Sequence, residues 1–329
     1  MPELYDVAAI GNAIVDVIAP CDDAFLSENG LTKGAMMLVD PAASARLYSR
    51  MAQAVEASGG SAANTIAGLA SFGGKGAFMG KVADDQLGRV FAHDMRTIGA
   101  RFENTPLVGG PATAVSMINV TPDAQRTMCT YLGASVEFSD ADVDPTTVEA
   151  AKIVYLEGYL FDAEPARRAF AKAAALAHGA GRMIALTLSD SFVVERHRGA
   201  LLGFIEGQVD LLFANEAELK ALFQTESFEA ALAALQPHVK LAAVTRSEKG
   251  SVILDRGERL SVAAEPVEKV VDTTGAGDQY AAGFMFGLSR GRPLAQCGRL
   301  ASLAAAEVIS HYGPRPQVSL QALAESKGY

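Results

Sequence analysis

From about residue 150 onward, short β-branched runs alternate with stretches of helical period, and that rhythm leaves few folds open to the chain. Lys152–Leu156, Met183–Leu188, Val209–Phe213 and Leu241–Thr245 read as strands. Between them lie helices with Ala/Leu faces, such as Ala166–Ala177 and Ala217–Phe223. Strands joined through helices run parallel, so this half is α/β with a mostly parallel sheet. Near the N-terminus Tyr5–Ile10 reads as another strand of that sheet. Ser61–Ser71 reads as a helix opened by a Gly-Gly-Ser turn, whose serine can cap it.

Two stretches break the rhythm. Ala13–Val39 and Ala112–Tyr131 carry alternating strands, and in the second a Thr121-Pro122-Asp123 turn joins Ala114–Val120 to Arg126–Tyr131 in the manner of a hairpin. The expected organisation is therefore an α/β domain made of residues 1–12, 40–110 and 132–329, with residues 13–39 and 111–131 forming a small β lid. No internal repeat or low-complexity segment interrupts it.

Half of the 329 residues are hydrophobic, enough for a large core, and the formal net charge of −10 with no long Lys/Arg run argues against nucleic-acid or anionic-membrane partners. Cys21, Cys129 and Cys297 are far apart and suggest neither a disulfide framework nor a zinc site. An acidic, strand-like N-terminus and the lack of a long apolar run fit a cytoplasmic protein.

The sharpest chemical feature is Asp272-Thr-Thr-Gly275-Ala276-Gly277-Asp278, followed by an apolar helix over Gln279–Leu288. The glycines permit a tight turn, and amides freed at a helix start converge on an anion. Asp278 can take a proton from an alcohol while the amides of Ala276 and Gly277 stabilise charge on a transferring phosphoryl group. Taken alone, the same residues also suit a capped helix behind a glycine turn.

Asp272–Met285 (DTTGAGDQYAAGFM) resembles, over its whole length, the C-terminal signature of the ribokinase-like, or PfkB, carbohydrate kinases. Gly59-Gly60-Ser-Ala-Ala-Asn64-Thr resembles the family's N-terminal signature, in which a Gly-Gly turn and an asparagine meet substrate hydroxyls; it departs at Ile66, where a small residue is usual. The resemblance spans nearly the whole chain. It implies a three-layer α/β/α domain with a β-sheet lid, ATP as co-substrate and Asp278 as the base.

Further positions carry over one by one. Asn215-Glu216-Ala217-Glu218 resembles the family's NxxE element, implying that Glu218 orients Mg2+ through water with Asn215 near the phosphates, although the pattern alone is also an ordinary helix cap. In Gly11-Asn12-Ala-Ile-Val-Asp16 the resemblance implies that Asp16 binds the 2′ and 3′ hydroxyls of a ribose, with Asn12 and Asn64 assisting. Thr245-Arg-Ser-Glu-Lys-Gly250 is similar to the family's nucleotide loop, with Ser247 in place of its first glycine, and Ser302 stands where an adenine contact is expected. A monovalent cation such as K+ is expected near Asp272 and the Gly313 loop. No Walker A, HExxH or GxSxG string offers another mechanism, and His93, His178, His197, His238 and His311 show no metal spacing.

Gly11–Asp16, Gly60–Thr65, Leu188–Phe192 and Val209–Glu216 look closer to adenosine kinases than to ribokinases or fructokinases. Met36, Met37, Leu38 and Met117 could give a purine an apolar surface. Adenosine is thus the expected acceptor, with ribose or a hexose the alternative and a non-catalytic nucleoside-binding protein a third reading. The protein is expected to be a monomer or a homodimer paired through lid edge strands.

Overall fold

A computed structural model describes residues 5–123 and 125–329; residues 1–4, which begin the expected 1–12 segment, and Ala124 lie outside the described residues. The strands, in chain order, are β1 (Tyr5–Ile10), β2 (Ile14–Pro20), β3 (Met36–Leu38), β4 (Val55–Gly59), β5 (Gly76–Met79), β6 (Ala114–Val120), β7 (Arg126–Tyr131), β8 (Ala151–Glu157), β9 (Met183–Thr187), β10 (Leu211–Asn215), β11 (Leu241–Thr245), β12 (Ser251–Asp255) and β13 (Glu258–Val262).

The central sheet is eight-stranded, in the order β13-β12-β11-β10-β9-β8-β1-β5. It is parallel from β11 to β5, and β12 and β13 extend it antiparallel. Alternate residues along each strand enter different cores. Val7, Ala9, Ile153, Tyr155 and Phe213 pack with the helices Ser61–Ser71, Ala276–Ser289 and Leu294–Ile309. Ala8, Ile10, Val154, Leu156 and Leu212 pack with Glu164–Gly179, Ser191–Gln208, Glu216–Phe223 and Phe228–Leu235. Both faces being covered, the strands read as continuous apolar runs rather than alternating ones. Complete burial of a side chain such as Leu156 or Phe284 contributes about 1.5–3 kcal/mol before entropy is counted. This is the expected α/β fold with helices on both faces of a mostly parallel sheet and a second, smaller sheet.

The strand order reverses at β1 and β8, which lie side by side, with β5 beyond β1 and β9 to β11 beyond β8. In open α/β sheets the crevice at the carboxyl ends of such a pair is where ligands bind. β1 leaves that edge directly into the lid sheet, whose order is β3-β7-β6-β2-β4.

The hairpin β6–β7 has the expected bounds. One lid strand does not come from the expected segments: β4 lies within residues 40–110, which had been given to the α/β domain, and pairs antiparallel with β2 from Ile14↔Gly59 to Ile18↔Val55. Its sequence, VEASG, has a single β-branched residue, so its strand state comes from pairing with β2 rather than from its own pattern. β10 begins at Leu211, because Val209 is still bonded through its amide to Ile205 O of the preceding helix.

Candidate active site

At the switch point the end of β1 is tied to the end of β8. Glu157 closes β8 and is 1% exposed. Its Oε1 accepts from Asn12 Nδ2 at 2.7 Å and from Asn12 N at 3.3 Å, and its Oε2 accepts from Ala62 N at 2.9 Å. Burial pushes the carboxyl up to about 7 against those bonds. Glu157 thus orients Asn12 and the opening of the helix Ser61–Ser71. It was not among the expected site residues; the one signal was a carboxylate directly after the apolar run Ile153–Leu156.

Asp16 lies on β2 opposite Ala57. Its carboxylate rests on Gly59, where a Cβ would stand 2.4 Å from Asp16 Oδ2, so no larger residue fits without displacing it. Gly60 caps the next helix. Ser61 was expected as that cap, but it is already the first helical residue, and its Oγ donates to Asp278 Oδ1 at 2.6 Å. One turn on, Asn64 Nδ2 donates to Asp278 Oδ2 at 3.3 Å. Asn12, Asp16, Gly59, Gly60, Asn64 and Asp278 are therefore brought together.

Asp278 sits in the first turn of the helix Ala276–Ser289. The N-cap Gly275 has φ +81°, and a Cβ there would strike Pro314 O at 2.6 Å. The Ala276 amide, expected to face an anion, instead donates to Thr273 O at 3.2 Å. Gly277 remains as the expected amide donor, and a Cβ placed on it would meet nothing within 4 Å, so the backbone there is open to a ligand. Burial raises Asp278 to about 6, opposed by Ser61, Asn64 and Arg315; Asp16 is likewise raised by burial to about 6, opposed by Arg315 and Arg126.

Both carboxylate oxygens of Asp272 are engaged within the chain. Its Oδ1 accepts from Thr274 N and Oγ1, while Oδ2 accepts from Gly313 N and from Arg126 Nη1, which reaches over from the lid strand β7. These bonds, together with the Arg126 charge, outweigh desolvation and hold the carboxyl below its usual range. The Arg126 guanidinium is thus the positive charge paired with Asp272 in this arrangement.

On the nucleotide side, Asn215 and Thr245 are register partners at the carboxyl ends of β10 and β11. Asn215 and Glu218 form a reciprocal helix cap: Asn215 Oδ1 accepts from Glu218 N at 2.8 Å and Glu218 Oε2 accepts from Asn215 N at 3.0 Å. Glu218 is buried and is pushed up to about 7, chiefly by desolvation, with Asp190 adding repulsion. Gly250, at φ +78°, closes the turn that leads from Thr245 into β12. The Ser302 hydroxyl is engaged twice, accepting from Glu265 N at 2.9 Å and donating to Ala263 O at 3.1 Å, so here it holds the segment after β13.

No group of three or more His, Cys, Asp or Glu side chains that could hold a metal is found among the described residues. Mg2+ keeps several waters and takes few protein ligands alongside substrate phosphates, so a carboxylate site completed by ATP suits it. Arg315, from the loop after the helix Leu294–Ile309, was also missed by sequence reasoning. It enters among the substrate residues, donating from Nε to Asn64 Oδ1 at 3.1 Å and from Nη1 to Ser58 Oγ at 2.8 Å.

A carboxylate set beside the open Gly277 backbone at a helix start, at the switch point of a lidded α/β sheet, fits a phosphotransferase that acts on an alcohol group. The chain belongs to the pfkB family carbohydrate kinases, whose family model matches residues 6–320. Among curated relatives, Fructokinase-1 of Oryza sativa subsp. japonica is 30% identical over 234 residues, covering 69% of this chain and 72% of its own. Among solved structures, an adenosine kinase from Sinorhizobium meliloti is 55% identical with a TM-score of 0.90, over 98% of this chain and 99% of that one. A probable sugar kinase from Rhizobium etli CFN 42 is 50% identical with a TM-score of 0.92, over 100% and 99% of the two chains. The activity is that of a sugar or nucleoside kinase with ATP as co-substrate, and no helix among the described residues is long and apolar enough to cross a membrane.

Proposed function

We propose that the protein transfers the γ-phosphate of ATP to the 5′-hydroxyl of adenosine, with Asp278 as the base. The observation that carries this is the pinning of both Asp278 oxygens, by Ser61 and Asn64, beside the open Gly277 backbone and in the same crevice as Asp16. Asp16 engages the ribose diol with Asn12 and Asn64 assisting, Asn64 as a donor and Asn12 through its Oδ1, which has no partner among the described residues. As the acceptor oxygen attacks the γ-phosphorus, its proton passes to Asp278; the new O–P bond forms, the bond to the bridging oxygen breaks, and ADP leaves. The Gly277 amide faces the charge that develops on the phosphoryl oxygens. Asn215, Thr245 and Gly250 line the ATP side.

Glu218 would hold Mg2+ through water, since direct ligation would take its carboxylate away from the Asn215 cap. When bound, the metal neutralises phosphate charge. In this reading the purine lies on the edge of the lid at Met36 and Leu38, both exposed; Met117 is fully buried and belongs to the lid core instead.

The 55% identity to an adenosine kinase over nearly the full chain favours the nucleoside. The fructokinases among the curated relatives favour a second reading, a free sugar as acceptor. Steady-state turnover of ATP with adenosine, inosine, ribose and fructose separates the two. A kcat/KM for adenosine well above those for the sugars is expected, and the reverse order would replace the nucleoside with a sugar.

A further inference from the structure

The Arg315 guanidinium stands in the acceptor crevice although no signature string carries it. Two of its nitrogens are engaged, Nε with Asn64 and Nη1 with Ser58, while the shielded Nη2 has no partner among the described residues. A guanidinium is a rigid planar fork, so the bonds of Nε to Asn64 and Nη1 to Ser58 fix the place of Nη2 beside those two residues. Gly59, which carries the Asp16 carboxylate on its face, follows Ser58 directly. Asp16, Asp94 and Asp278 surround the cation, and Ser58 N is itself fixed by Asp94 Oδ2 at 2.8 Å. A shielded donor beside Asn64, in the crevice read here as the acceptor site, is left wanting an oxygen acceptor.

We propose that Arg315 reads the acceptor: its Nη2 donates to a substrate oxygen in the space between Asp16 and Asn64, and its Nε fixes the polarity of the Asn64 amide. Arginine has only donors, so its bond to Asn64 Oδ1 turns the amide N–H groups toward Asp278 and the substrate. Asn64 then presents an N–H to a substrate hydroxyl while its Oδ1 is turned toward Arg315. The ligand class that satisfies both donors while protonating neither is one with neighbouring hydroxyl or ring oxygens, whose own O–H groups are taken by Asp16. The proposal rests on the reading of this crevice as the acceptor site.

The test compares Arg315→Lys, Arg315→Met and Arg315→Ala with the unaltered protein, using adenosine, or whichever acceptor of the panel it turns over best. Lysine keeps the charge but cannot reach Ser58, Asn64 and substrate together. Loss of a charge-assisted bond should raise the acceptor KM about tenfold or more in both the Lys and Met variants. The KM for ATP should stay within about twofold, because ATP lies on the other side of Asp278. Added guanidinium ion should partly restore the Ala variant. A merely structural arginine would lower the melting temperature and the active fraction, hence kcat, without moving the acceptor KM. If the Met and Ala variants do not fold, the Lys variant decides alone. An acceptor KM within about twofold of the unaltered protein in Arg315→Lys overturns the proposal while leaving the kinase reading intact. Lack of turnover by the unaltered protein with every acceptor removes that reading and this one with it.

Discussion

Ser61 Oγ donates to Asp278 Oδ1 at 2.6 Å, joining residues 217 positions apart in sequence. The N-terminal glycine turn and the C-terminal glycine turn are thereby one device: each opens a helix, and the two helices meet where the carboxylate is held. Asn64 Nδ2 on the other Asp278 oxygen completes the grip. Gln279 Nε2 ties the same helices again by donating to Asn64 O and Pro314 O.

Asp278 in the unliganded protein has its carboxyl raised by burial to about 6, so the base is unprotonated only above that pH. The kcat/KM for the acceptor should therefore fall about tenfold per pH unit below about pH 6, rather than only below pH 4. Asp16 is raised to the same value, and with Glu157, Asn64, Ser61 and Arg315 it faces the same crevice, so the acid limb belongs to the cluster. Stability should move the opposite way. A carboxyl raised on folding contributes most when protonated, below its unfolded value, and that contribution is lost as pH rises through about 6 for Asp16 and Asp278 and about 7 for Glu157 and Glu218. Paired pH profiles of activity and of unliganded melting check both signs; an activity that stays flat down to pH 4 would contradict the assignment.

Asp16→Asn replaces an acceptor with a donor and should weaken adenosine binding by roughly 1–3 kcal/mol. 2′-Deoxyadenosine lacks one of the two hydroxyls and should lose less in the same variant. The protein–ligand cycle isolates the coupling, and equal losses for the two nucleosides would leave Asp16 as a lid-hinge residue only.

Glu218→Gln keeps a side chain that can still accept from Asn215 N, so the helix cap and the fold should survive. What is removed is the charge and the acceptor for Asn215 Nδ2. The kcat should fall and be partly restored by raised Mg2+, whereas an unchanged metal dependence would reduce Glu218 to a cap.

In the central sheet β1 and β8 to β11 were legible because burial on both faces leaves each as a short apolar run, and Tyr5–Ile10 and Leu241–Thr245 match their expected bounds, whereas the four-residue β5 was missed. β4 was not, since VEASG becomes a strand only beside β2. The antiparallel pair β12–β13 was also missed, although its two-residue Arg256-Gly257 loop, with φ +47° and +92°, is a turn that sequence can announce. Within the site, residues in glycine-rich strings could be read directly. Glu157 and Arg315 could not, because each acts through contacts about 95 or more residues away in sequence. Ser61 was visible but misassigned, for a serine beside a glycine turn looks the same whether it caps its own helix or holds a carboxylate on another.

The central claim, that Asp278 accepts the proton during phosphoryl transfer, is tested most directly by the kcat of Asp278→Asn with adenosine and ATP, measured alongside adenosine binding. The amide keeps the shape of the side chain and an acceptor for Ser61, but it cannot take up the proton. A fall in kcat on the order of 10²–10⁴-fold, with binding largely retained, is the predicted result. A kcat equal to that of the unaltered protein would contradict it and move the base elsewhere in the crevice.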